Sequence, residues 1–133
     1  MFSKEEHIAY WLSQAEDDWE TVGVLLAGGK YLQTLFWAHL VLEKICKCLW
    51  IKSNAENVPP RSHNLNRLLA LANVVLTEEQ HSFLAEINQF QLEGRYPDYV
   101  SNMRLLCTRD VTNDYLHQIN TIRVCLIQLL PTS

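Results

Sequence analysis

Four glycines and four prolines in 133 residues are too few for the linkers of a multidomain chain or the close-set turns of an all-β fold. Long apolar runs are missing too, since no segment approaches the roughly 18 uninterrupted apolar residues of a membrane span. The opening, Met1-Phe2-Ser3-Lys4-Glu5-Glu6, carries acids where a secretory leader has a basic stretch followed by an apolar one. A cytoplasmic location is therefore expected, in which the four cysteines stay reduced. Cys46 and Cys48 sit two positions apart, about 200° around a helix, and cannot share a tetrahedral metal. Cys107 and Cys125 have no cysteine neighbour, so all four read as small apolar packing residues. Gly28-Gly29 stands outside any strand–loop–helix phosphate motif, and neither a Glu-x-x-His pair nor a Gly-x-Ser-x-Gly turn occurs. No metal and no cofactor are expected. Fifteen acids against eleven Lys and Arg leave a net charge of −4, which argues against a general binder of phosphate backbones.

What remains is ordinary globular composition, 48% hydrophobic and 20% charged, which excludes a disordered chain. The length fits one domain spanning residues 1–133, able to fold without a disulfide or metal staple. Sustained alternation of apolar and polar residues is absent, so no sheet is expected. Helical periodicity is present throughout. Ser3 and Glu6 form a capping box, and Ile8, Leu12, Ala15, Trp19, Val22 and Leu26 follow at steps of three and four to make one apolar stripe ended by Gly28-Gly29. Glu16, Asp17, Asp18 and Glu20 read as the solvated outer face, or as a dock for a basic partner.

The segment from Tyr31 to Lys52 is apolar on nearly every side in its first half, which predicts a central helix covered by several neighbours. Pro59-Pro60 breaks it into an irregular connection. A short helix starts near His63 or Asn64 and carries Leu65, Leu68, Leu69 and Ala72. Thr77 and Gln80 form a second capping box, opening a helix that carries Phe83, Leu84, Ile87 and Phe90 and closes at Gly94. Arg95-Tyr96-Pro97-Asp98 reads as a turn, because proline drives Tyr96 from the helical region. A last helix from Thr108 to Leu130 presents Val111, Tyr115, Ile119, Ile122, Leu126 and Leu129. The fold class is thus all-α, an antiparallel up-and-down helical bundle of about five helices.

Among the histidines, His7 and His81 read as solvated, and His39, inside the apolar helix, requires a buried hydrogen-bond partner. His63, beside the proline pair, either caps a helix or meets a ligand. Arg109 and His117 lie about 80° and about 12 Å apart on one helix, a poor geometry for direct cooperation. The densest polar group is Arg95-Tyr96-Pro97-Asp98, which suits an anionic or nucleobase ligand or an Arg–Asp pair pinning the turn. Lys44, Lys47, Lys52, Arg61 and Arg67 face only Glu56 between residues 44 and 67, a local cationic excess.

The ordered set of a first helix ending at glycines, Lys30-Tyr31, Ala38-His39-Leu40-Val41-Leu42-Glu43-Lys44, Pro59-Pro60 with His63-Asn64-Leu65, and Arg95-Tyr96-Pro97-Asp98 resembles the HEPN domain (higher eukaryotes and prokaryotes nucleotide-binding). The resemblance implies a helical bundle, commonly a homodimer, often partnered by a small nucleotidyltransferase in a toxin–antitoxin-type pair. Some members are metal-independent ribonucleases whose signature is an arginine and a histidine separated by about four to six residues on the last long helix and paired across the dimer. Here seven residues, Asp110 to Leu116, separate Arg109 from His117, and Arg95 has no suitably placed histidine. The expectation is a binding module for a nucleotide or partner through Arg95, Tyr96 and Asp98, with His63, Lys44 or Lys47 nearby. The alternative is a divergent ribonuclease acting on RNA through Arg109 and His117.

Overall fold

The structure is a computed structural model that describes residues 2–131. Six helices make up the fold: α1 (Lys4–Ala27), α2 (Tyr31–Ser53), α3 (Leu65–Leu71), α4 (Glu78–Ile87), α5 (Pro97–Leu106) and α6 (Arg109–Gln128), with a 3-10 turn (Asn88–Phe90) continuing α4 and a longer connection between α2 and α3. The described residues contain no strand. They are all-α, as the periodicity predicts, and none of their helices is long and apolar enough to cross a membrane.

The ends of the helices follow local chemistry. Ser3 Oγ accepts from the Glu6 backbone N–H, and the Glu6 carboxylate accepts from the Ser3 N–H, completing the expected capping box. At the other end of α1, the Gly28 N–H reaches the Val24 carbonyl and the Lys30 N–H the Leu25 carbonyl. Gly29 between them has φ +74, which reverses the chain into α2. Thr77 and Gln80 build the matching box at the start of α4.

α2 is the central element. Fifteen of its 23 residues are buried, including Leu35, Leu42, Ile45 and Leu49, and it packs against α1, α3 and α6 while touching α5 and the 3-10 turn. A helix apolar all round is stable only when neighbours remove each face from water. Its C-terminal carbonyls are closed by a distant lysine: Lys4 Nζ donates to the Ile51 and Asn54 carbonyls at 2.7 and 2.6 Å and to Asn57 Oδ1 at 3.0 Å. That clamp fixes the start of the proline-containing connection against α1. One apolar cluster runs from Ala15 in α1 to Leu130 beyond α6. Cys46, Cys48 and Cys107 are buried within it, and burial pushes their thiols up, Cys48 to about 12.

The periodicity misplaces several features. α4 stops at Ile87 and tightens into the 3-10 turn, so Gly94 (φ +77) shapes the following loop instead of capping a helix. A sixth helix, α5, starts at Pro97, because proline at the first helical position needs no N–H partner and Asp98 opposes the backbone dipole. Asp18 is buried instead of solvated, since it lies three residues beyond Ala15 and four before Val22, on the packed stripe. In α6 the buried position is Thr112, with Val111 turned outward. His81 is half-buried, its Nε2 accepting from the Leu76 N–H and its Nδ1 meeting Asn66 Oδ1.

Gly23 inside α1 and Gly29 in the α1–α2 turn should respond oppositely to alanine. Gly23 lies inside α1 with open space around it, so Gly23→Ala should stabilise by about 0.5–1 kcal/mol. Gly29→Ala should cost about 1–2 kcal/mol through its left-handed backbone alone, as nothing lies within 4 Å of the added carbon. Urea unfolding of both variants checks the two signs.

Candidate functional site: the Glu43 network and the Arg95–Asp98 elbow

Residues 39, 43 and 47 succeed one another by four along α2 and therefore share one helix face. They are His39, Glu43 and Lys47, all buried. Glu43 is only 4% exposed, yet both carboxylate oxygens are occupied. Oε2 accepts from Lys47 Nζ at 2.9 Å, and Oε1 lies 2.8 Å from His63 Nδ1. His63 arrives from the connection after Pro59-Pro60, and its Nε2 lies 3.2 Å from Glu93 Oε2. The imidazole thus bridges a buried carboxylate on α2 and an exposed one on the loop before α5.

A second tie runs parallel. His39 Nε2 lies 3.0 Å from Asn88 Oδ1, and its Nδ1 is 4.0 Å from Glu43 Oε1 without a hydrogen-bond partner among the described residues. Burial drives the His39 pKa down, outweighing the Asn88 hydrogen bond and the nearby Glu43 charge that both favour protonation. Lys47 also lies 5.2 Å from the Trp11 ring centroid, so its ammonium is enclosed between a carboxylate and an aromatic face. The requirement that His39 find a buried partner is met by Asn88.

Beyond Glu93 the chain turns through the elbow. Arg95 Nε donates to the Gln91 carbonyl at 3.4 Å, and its guanidinium carbon stands 4.4 Å from the Tyr99 ring centroid. Tyr99 in turn donates its hydroxyl to the Gln89 carbonyl at 2.6 Å. Tyr96 is extended, precedes α5 and is 80% exposed; Asp98 occupies the first turn of α5 and is exposed as well. Arg95 and Asp98 form no ion pair, because Arg95 stacks on Tyr99 instead.

Of the residues singled out from sequence, the fold links His63 and Lys47 directly through Glu43, and it ties the loop carrying Arg95, Tyr96 and Asp98 to them through Glu93. Lys44 is elsewhere, its Nζ donating to the buried Asp18 carboxylate of α1. Both lysines are committed to carboxylates. Arg109 lies at the start of α6 beside Leu26, Gly29 and Tyr31, whereas His117 lines clefts with Phe83 and with Trp19, and the two do not line a common cleft. The residues missed were Glu43, Asn88 and Glu93. The four-residue spacing of polar groups in an otherwise apolar helix signalled the first. Nothing local signalled the other two, whose partners lie 49 residues away and 30 residues away in sequence. Among the described residues no group of three or more His, Cys, Asp or Glu side chains is arranged to hold a metal ion.

The model of the HEPN domain matches residues 8–126, a stretch that encloses the Glu43 network, the elbow and most of α6. The chain belongs to the HEPN family. Comparison with curated proteins and with solved structures found no match. The motif pieces that carry the family resemblance (the Glu-Lys of α2, the histidine before α3 and the Arg-Tyr-Pro-Asp elbow) are therefore neighbours in this HEPN fold, with Glu43, His63 and Glu93 supplying the contacts between them.

Because His39 is held neutral below its usual range, the unfolded chain takes up this proton first as pH falls. Stability should accordingly drop below pH ~6.5, by at most about 1.4 kcal/mol per pH unit from this residue. Urea unfolding at pH 7.5, 6.5 and 5.5 should show a shallower acid-side slope for His39→Gln than for the unsubstituted protein.

Proposed function

We propose that this HEPN domain is a non-catalytic binding module that receives a nucleotide, or the nucleotide-bearing surface of a partner, at the Arg95–Asp98 elbow. In this reading it acts in the cytoplasm as a homodimer alongside a small nucleotidyltransferase, in a toxin–antitoxin-type pair. Family membership supports a nucleotide-binding or ribonuclease-like module. The observation that carries the binding reading is the elbow itself. Arg95 is held by its Nε bond to the Gln91 carbonyl and its stacking on Tyr99, while its terminal guanidinium nitrogens have no hydrogen-bond partner among the described residues, and the Tyr96 ring next to it is largely in solvent. A guanidinium suits phosphate, an exposed phenol ring suits a base, and the Asp98 carboxylate accepts from an exocyclic amine or a ribose hydroxyl.

His63 stands at the edge of this surface, held by Glu43 and Glu93, and supplies polarity without being free to swing. Lys44 and Lys47 reach a ligand only by leaving Asp18 and Glu43, so the contacts fall to Arg95, Tyr96, Asp98 and His63.

A ribonuclease reading has one supporting observation: the clefts lined by Arg109 and by His117 both include Leu26 and Asn113 and so adjoin. A single pair of assays separates the two. Isothermal titration with ATP should give binding that Arg95→Ala weakens by about tenfold or more, corresponding to loss of a charge-assisted contact of about 1.5 kcal/mol or above. Incubation with total RNA in chelator should leave the RNA intact. Absence of heat at millimolar ATP overturns the elbow reading, and cleavage abolished by both Arg109→Ala and His117→Ala establishes the ribonuclease in its place.

A further inference from the structure

The chain has eleven Lys and Arg residues, and most are already engaged by the fold. Lys4 and Lys52 donate to backbone carbonyls, Lys44 and Lys47 pair with buried carboxylates, Arg95 lies on Tyr99, and Arg123 lies on Trp19 and donates to Asn120. Five have no side-chain interaction among the described residues: Lys30, Arg61, Arg67, Arg104 and Arg109. Three of these five line adjoining clefts. Lys30 comes from the α1–α2 turn, Arg104 from the last turn of α5 and Arg109 from the first turn of α6. They line two clefts of about 240 and 430 Å³ that share Gly29 and Tyr31 and therefore adjoin.

Three cations gathered with no carboxylate within ion-pairing distance among the described residues repel one another, whereas Lys44 and Lys47 of α2 are each matched to an acid. An anion resting between them removes that repulsion. The setting adds polar partners: Gln33 and Asn113 reach the same clefts, and α2 begins here with no side-chain cap and no acid in its first turn, leaving its first N–H groups for an anion.

We propose that the cleft between the α1–α2 turn and the α5–α6 junction binds a compact polyphosphate anion, with Lys30, Arg104 and Arg109 as its charged contacts. Three positive groups spread over two adjoining hollows match two or three linked phosphates better than one. An extended phosphodiester strand fits poorly. It needs cations along a track, whereas these three are confined to two adjoining hollows. This site is separate from the elbow, to which none of the three residues belongs.

Isothermal titration with sodium tripolyphosphate tests it, since that probe has no base or ribose and reports the cleft independently of the elbow. Binding should weaken by at least fivefold in each of Lys30→Ala, Arg104→Ala and Arg109→Ala, while Arg67→Ala, which removes an equally exposed cation on α3, leaves it unchanged. All four positions are exposed, so the variants should fold, and thermal unfolding without ligand checks that they do. No measurable heat at millimolar tripolyphosphate, or equal weakening by Arg67→Ala, overturns the site. A single-stranded RNA oligonucleotide that displaces tripolyphosphate and binds more tightly overturns the compact-anion assignment.

Discussion

A carboxylate almost wholly removed from water sits at the middle of the central helix, and the arrangement of the connections around it follows from satisfying that charge. Glu43 cannot be left unpaired in such a place, because an isolated buried charge costs several kcal/mol. One oxygen is answered within α2 by Lys47. The other is answered only if the long connection after Pro59-Pro60 brings His63 back to α2, and His63 in turn draws Glu93 and the loop before α5 toward it. An apolar helix face would accept many registers of a covering loop. A carboxylate needing donors at hydrogen-bond distance accepts few, so the network selects the conformation of two irregular segments that packing alone leaves underdetermined.

This explains where reading the sequence succeeded. Ser3 with Glu6, Thr77 with Gln80, the glycine pair after α1 and the all-round apolarity of Tyr31 to Leu42 depend on contacts within a few residues or on burial, and the structure agrees with each. α5 was hidden because a proline that interrupts one helix also starts another, and only the position of the chain around it decides which role it plays. Asp18 was assigned to solvent by its charge although its spacing with Ala15 and Val22 put it on the packed stripe; the partner that makes burial tolerable, Lys44, lies 26 residues away. His63 was legible as a residue of interest. Its bridging of Glu43 and Glu93 was not, because both contacts are made across the fold.

The same division separates cations that hold the structure from those that remain available. Counted along the chain, Lys44 and Lys47 belong to a cationic excess, and in the fold both neutralise buried acids. Arg95 is partly committed, with one edge against the backbone and Tyr99. Lys30, Arg104 and Arg109 are uncommitted and concentrated at one end of the bundle. A protein of net charge −4 can thus present two local surfaces suited to phosphate chemistry without being a general nucleic-acid binder.

The central claim, that the charge on Glu43 constrains this fold and must be matched wherever it is placed, is tested most directly by a double-substitution cycle on Glu43 and Lys47 followed by urea unfolding. The account predicts that Glu43→Leu and Lys47→Met each cost about 3–5 kcal/mol, since each strands a buried charge, and that the double variant recovers most of that loss. Single costs below about 0.5 kcal/mol, or a double variant as unstable as the two losses added together, would contradict it.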